Sequence, residues 1–194
     1  RKTPTVILGH RALFCSDFPN VETDDLAAAK AVTEHLLDLG HRRIACLTGP
    51  IFAPWAQERY EGYRRALIEH GLEVDEKLVF QAGATIEEGA AAALQFINEQ
   101  PKATAMIAAN DLVAFGAANT LLDQGISIPQ DLSVAGFGNV LSAEYFRVPL
   151  TTVRQPKYRR GLAAMESMKS LLAGESASPK RLPAELAIRK STTA

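Results

Sequence analysis

The sequence is poor in the features that usually announce a function. It holds two cysteines, Cys15 and Cys46, and they carry no metal-ligand spacing. Cys46 lies in the apolar run "IACL"; both read as reduced thiols in a cytosolic protein, Cys46 simply as core. Charge of one sign is lacking too. The formal net charge is −1 and no block of like charge occurs, so the concentrated basic face of a nucleic-acid grip is missing. No apolar run reaches about 18 residues, which excludes a membrane-spanning helix. No charged-then-apolar leader opens the chain. There is no low-complexity tract, no G-x-S-x-G or P-loop string, and no assignable Ser-His-Asp set. No His/Cys/Asp/Glu grouping has metal spacing, and no cofactor is called for. These gaps count against an enzyme. What remains is a chain of 194 residues, 47% hydrophobic, able to bury a core in one or two domains.

What is present is alternation. "TPTVILG" reads as a strand, "HRALFCSDFPN" as a loop and "VETDD" as a short strand end. From Asp24 or Asp25, "DLAAAKAVTEHLLDLG" sets Ala28, Val32, Leu36 and Leu39 on one helical face, with Asp at the start and Gly40 at the stop. A strand over Arg43–Leu47 follows, then a helix in "AQERYEGYRRALIEHG". Strands in "KLVFQAG", "ATAMIAA" and "DLSVAGF" alternate with helices in "TIEEGAAAALQFINEQ" and "DLVAFGAANTLLDQG". A short helix in "LSAEYFR", extended "LTTVRQ", the long helix "KYRRGLAAMESMKSLLAG" and a closing strand in "LPAELAIRKS" complete the chain. "GESASPKRLP" is its most loop-like stretch. The pattern predicts an α/β fold, doubly wound, with parallel sheets covered by helices on both faces. Such sheets bind ligands at the carboxyl ends of their strands. Three of those ends carry small polar residues or a loop: Thr48–Trp55, Asn110-Asp111 and Gly138-Asn139. They are expected to share one rim.

"LGHRRIACLTGP", "ERYEGYRRAL", "TAMIAANDLVAFGA", "GISIPQDLSVAGFGN" and "PLTTVRQP", in this order and spacing, resemble the LacI/GalR family of bacterial transcriptional regulators. The resemblance implies two Rossmann-like subdomains of the type I periplasmic-binding-protein-like fold, joined by three crossings, with a small effector in the cleft. By that mapping the C-terminal effector-binding subdomain is residues 24–147 with 182–189. Residues 1–23 with 150–174 form an incomplete N-terminal subdomain, and the helix-turn-helix headpiece is not in this chain. A sheet remnant that small should lean on something else. The implied partners are a small-molecule effector (sugar, sugar acid or sugar phosphate), operator DNA through the headpiece, and a second copy in a homodimer. The implied setting is the bacterial cytoplasm.

The resemblance also points to site residues. Arg59, at the start of a helix beyond a strand-end loop, matches an effector-contacting arginine, its fork suited to two ligand oxygens; the plainer reading is a surface arginine. Asn110 matches a frequent ligand contact, while Asp111 is the favoured cap of the following helix. Many relatives have Asp where Gly138 stands, so either the effector lacks the group that an Asp would accept from, or Asn139 or a water substitutes, or Gly138-Asn139 is only a turn. The missing carboxylate leans the reading toward an anionic sugar. Ala84 stands where several relatives place a stacking aromatic; Trp55 or Phe52 could supply that apolar platform instead, the alternative being that Trp55 packs over its helix. His10 would face the cleft from the first subdomain. A periplasmic sugar-binding protein of a transporter shares fold and cleft and stands as the alternative function.

Overall fold

Strand alternation decides how this chain layers. In the computed structural model, which describes residues 3–10, 15 and 17–192, the strands are β1 (Ile7–Leu8), β2 (Asn20–Thr23), β3 (Ile44–Thr48), β4 (Val79–Gln81), β5 (Ala105–Ala108), β6 (Ser133–Phe137), β7 (Thr151–Arg154), β8 (Lys180–Leu182) and β9 (Glu185–Ala187). The helices are α1 (Asp25–Asp38), α2 (Pro54–Glu69), α3 (Ile86–Glu99), α4 (Asp111–Asp123), α5 (Ser142–Tyr145) and α6 (Lys157–Leu172). Six strands form the larger sheet in the order β4-β3-β5-β6-β7-β9, parallel except for β9, which runs antiparallel to β7. Successive side chains on a strand face opposite ways. Ile44, Cys46, Ala105, Ile107, Ala135 and Phe137 therefore pack under α1 and α2, against Val32, Leu36, Tyr63 and Leu67. Ala45, Leu47, Met106 and Val134 pack on the other face under α3 and α4, against Phe96, Val113 and Leu121. Burial on both faces explains why these strands read as continuous apolar runs. It also pushes the Cys46 thiol up to about 12, so that sulfur is core.

Helix pairs on each face approach through glycine. A Cβ on Gly116 (α4) would drive into the Ile86 carbonyl of α3, and one on Gly89 (α3) would meet the Val113 carbonyl of α4. Backbone atoms cannot swing aside as a side-chain tip can. Gly116→Ala is therefore expected to cost about 3 kcal/mol, a fall of roughly 6–12 °C in thermal unfolding midpoint. A melt by circular dichroism reads it; an unchanged midpoint would show that α3 and α4 are not this close.

The smaller sheet, β1-β2-β8, is parallel. Helix α6 covers it through Ala163 and Ala164, which pack on Val21 with Val6 and Leu182. Two expectations need correction here. The "GESASPKRLP" stretch read as loop contains β8, which pairs Val21–Thr23 with Lys180–Leu182; its three polar-rich residues carry no local signal, and the pairing comes from a partner far away in sequence. The resemblance assigns residues 150–174 wholly to the smaller unit, yet β7 pairs with β6 in the larger sheet. Only α6 belongs to the smaller one. The chain crosses between sheets three times, at Thr23–Asp25, Arg154–Lys157 and Leu182–Glu185.

Candidate functional site

The carboxyl ends of β3 and β5 open on a cleft of about 570 Å³ that is walled from both sheets. The larger unit contributes Phe52, Ala53 and Trp55 from the loop and first turn after β3, Arg59 one turn further on, Asp25 at the start of α1, and Asn110 after β5. Leu8, Gly9, His10, Thr23, Gln155 and Arg160 come from the smaller unit and the crossings. Of the residues singled out in the sequence, Arg59, Asn110, Trp55, Phe52 and His10 are thus brought together. Trp55 is not a loop residue: Pro54 opens α2, as proline does at a first helical position. Its ring lies over Gly49, where any Cβ would collide with it. Phe52 is the open element of the rim, 84% exposed.

Arg59 is held as the cleft's fixed point. Its guanidinium carbon sits 3.7 Å from the Phe137 ring centroid and 4.6 Å from that of Trp55, an arrangement of cation–π contacts. Its Nε and Nη2 donate to Asp25 Oδ2 at 3.2 and 2.9 Å, and Nη1 donates to the Ala109 carbonyl at 2.6 Å. Five guanidinium N–H groups exist, so two remain for a ligand. Burial raises the Asp25 pKa above its usual value and lowers that of Arg59, while each partner's charge opposes the shift in the other. Among the described residues Asp25 Oδ1 has no hydrogen-bond partner. Asn110 caps α4, its Oδ1 accepting from the Val113 amide at 2.8 Å, and its Nδ2 donates to the Ala84 carbonyl at 3.0 Å. His10 Nε2 lies 3.2 Å from Glu58 Oε2. Arg181 on β8 reaches Glu22 at 2.8 Å and Glu58 at 2.6 Å, tying the smaller sheet to α2. Hydroxyl-sized donors and acceptors beside aromatic walls suit a polyhydroxylated molecule.

A family model described as a periplasmic binding protein-like domain matches residues 33–192. A sugar-binding transcriptional regulator of the LacI family from Escherichia coli, solved in complex with phosphate, superposes with a TM-score of 0.90 at 30% identity over 98% of this chain and 69% of that one. The chain belongs to the LacI family. A LacI-family regulator from Enterococcus faecium with bound ribose is similar at a TM-score of 0.88 and 28% identity, covering 98% of this chain and 71% of that chain. The HTH-type transcriptional repressor CytR of Escherichia coli K12 is 32% identical over the whole chain, which spans 58% of that repressor's length. These LacI-family relatives are transcriptional regulators rather than enzymes. Among the described residues no helix is long and apolar enough to cross a membrane.

Within this LacI-family domain two singled-out residues stand apart from the cleft lining. Asp111 is 1% exposed and lies beneath it. Its carboxylate accepts from the Thr152 hydroxyl and from the Val140 amide at 2.8 Å, and Asn110 rather than Asp111 is the cap. The cap belongs to the residue still in extended backbone, at φ −154° and ψ 173°. Asn139 has its carboxamide oxygen on Arg189 at 2.7 Å. Gly138 has φ +135°, and a Cβ there would stand 3.4 Å from Asp111 Oδ2. An aspartate at 138 would combine disfavoured backbone with a second carboxylate, which accounts for glycine. Sequence reasoning missed Asp25 and Arg160. Asp24 is the α1 cap, its Oδ1 accepting from the Ala27 amide; the surplus acid next to it was the available signal. Arg160 sits in "YRRG", which carries no signal beyond a helix.

Proposed function

We propose that the protein is the effector-sensing and dimerising part of a LacI-type repressor, in which a sugar-like molecule in the cleft controls operator binding by a headpiece outside this chain. The observation that carries this reading is the aromatic-sandwiched Arg59, clamped by Asp25 on the carboxyl rim of a parallel sheet and facing a second unit across about 570 Å³. Arg59, Asn110, Trp55, Phe52 and His10 would hold the ligand. Kinship with named repressors favours this function over transport; a relative with bound ribose supports a sugar-sized occupant.

Control follows from the two-unit build. A ligand touching both units stabilises the arrangement in which both sets of contacts are made, and shifts the population only by its differential affinity. A thermal-shift panel of sugars, sugar acids and sugar phosphates tests the reading. At about 10–100 times its Kd, a true ligand stabilises the fold by about 1–3 kcal/mol. Trp55, the only tryptophan, stacks on Arg59 and should report the same event through its emission. A panel in which no member moves either signal would contradict the proposal.

A further inference from the structure

Among the described residues, each charged group facing the cleft can be followed to its partner, and one guanidinium lacks an acidic one. Arg59 is matched by Asp25. Arg181 is matched by Glu22 and Glu58. Among the described residues Arg160, in the first turns of α6, makes a single side-chain hydrogen bond, from Nη1 to the Thr23 hydroxyl at 3.3 Å. Its Nε is buried without a partner. Among the described residues no carboxylate pairs with it. Its charge reaches Arg59 and depresses that group's pKa, behind the larger effect of burial, so the two cations share one space from opposite units. A buried guanidinium N–H left unpaired is costly unless something arrives to accept from it.

Resting on the cleft being the ligand's seat, we propose that Arg160 reads an oxyanion, a carboxylate or phosphate borne by the sugar, while Arg59 and Asp25 take its hydroxyls. Arg59 has already spent its charge on Asp25, so it is equipped for neutral hydroxyls. Asp25 Oδ1, without a partner, accepts from one of them. Arg160 keeps its fork and its charge for a planar or tetrahedral anion, the geometry guanidinium serves best. Because Arg160 lies on the smaller unit and Arg59 on the larger, such a ligand joins the two by its opposite ends.

The test pairs neutral and anionic forms of one sugar by titration calorimetry: ribose against ribose 5-phosphate, and glucose against glucuronate and glucose 6-phosphate, with inorganic phosphate alone. The wild type should bind at least one anionic form roughly 10–100-fold tighter than its neutral counterpart, the range for hydrogen bonds to charged groups. The glucuronate and phosphate arms say which anion is read. Arg160→Gln should erase the preference, leave the neutral sugar's affinity within about threefold, and unfold no lower than the wild type, since the lost Thr23 contact is offset by removal of a buried unpaired N–H. Equal affinities in the wild type, or an undiminished preference in Arg160→Gln, would overturn the proposal and leave the sugar-sensing reading standing. Should the variant not fold, the wild-type ratio decides alone. No binding by any member would overturn both.

Discussion

Arg59→Ala should lower ligand affinity by about 100-fold and also destabilise the protein by about 3–5 kcal/mol, because it strands a buried carboxylate. The second effect separates Arg59 from an ordinary ligand contact. Asp25 and Arg59 are 1% and 13% exposed at the side chain, so solvent does not replace the lost partner. The pH dependence has a definite sign. Burial holds the Asp25 pKa above 3.8 even with Arg59 opposing it, so the folded state keeps this proton to higher pH than the unfolded chain. The stability linked to this group is present at low pH and is lost as pH rises through the folded pKa. Removing Arg59 removes the main opposing influence and steepens that loss. Urea denaturation of Arg59→Ala at pH about 4.5 should give a smaller deficit against wild type than at pH about 8. Arg59→Ala combined with Asp25→Asn should recover part of the stability and none of the binding. A fully stable Arg59→Ala would mean that the pair is not buried as described.

Asp111→Ala should share the instability but spare the ligand, costing about 3 kcal/mol in stability and less than about threefold in ligand affinity. The carboxylate holds the Thr152 hydroxyl and the Val140 amide, joining α4 to β7 and to the turn after β6. Both donors would be left without it, and a neighbouring arrangement tuned to glycine at 136 and 138 offers no replacement. Equilibrium denaturation and calorimetry on the same preparation separate the two quantities. Lost binding in a stable variant would return Asp111 to the ligand site.

Most of the architecture was readable because it rests on local periodicity. The central strands β3, β5 and β6 are buried on both faces, and helices with apolar stripes and glycine stops flank them. What escaped depends on partners distant in sequence. β8 has no strand signal until β2 is beside it. Asp25 and Arg59 lie 34 residues apart, and nothing local tells an arginine that it is clamped. Arg160 is separated from Thr23 by 137 residues; that no acid among the described residues pairs with it is a fact of three dimensions only. The cap assignment at Asn110-Asp111 failed for a different reason, since both residue types cap well and only the backbone dihedrals choose between them.

In the proposed arrangement one small molecule bridges the two units between Arg59 and Arg160. A crystal structure of the protein grown with its tightest ligand from the sugar panel tests this most directly. Density is expected within the cleft, with hydroxyls at Arg59 and Asn110 and an anionic group at Arg160. Density elsewhere, such as in the apolar hollow of about 260 Å³ beside Ile51, Tyr60 and Val79, would contradict it.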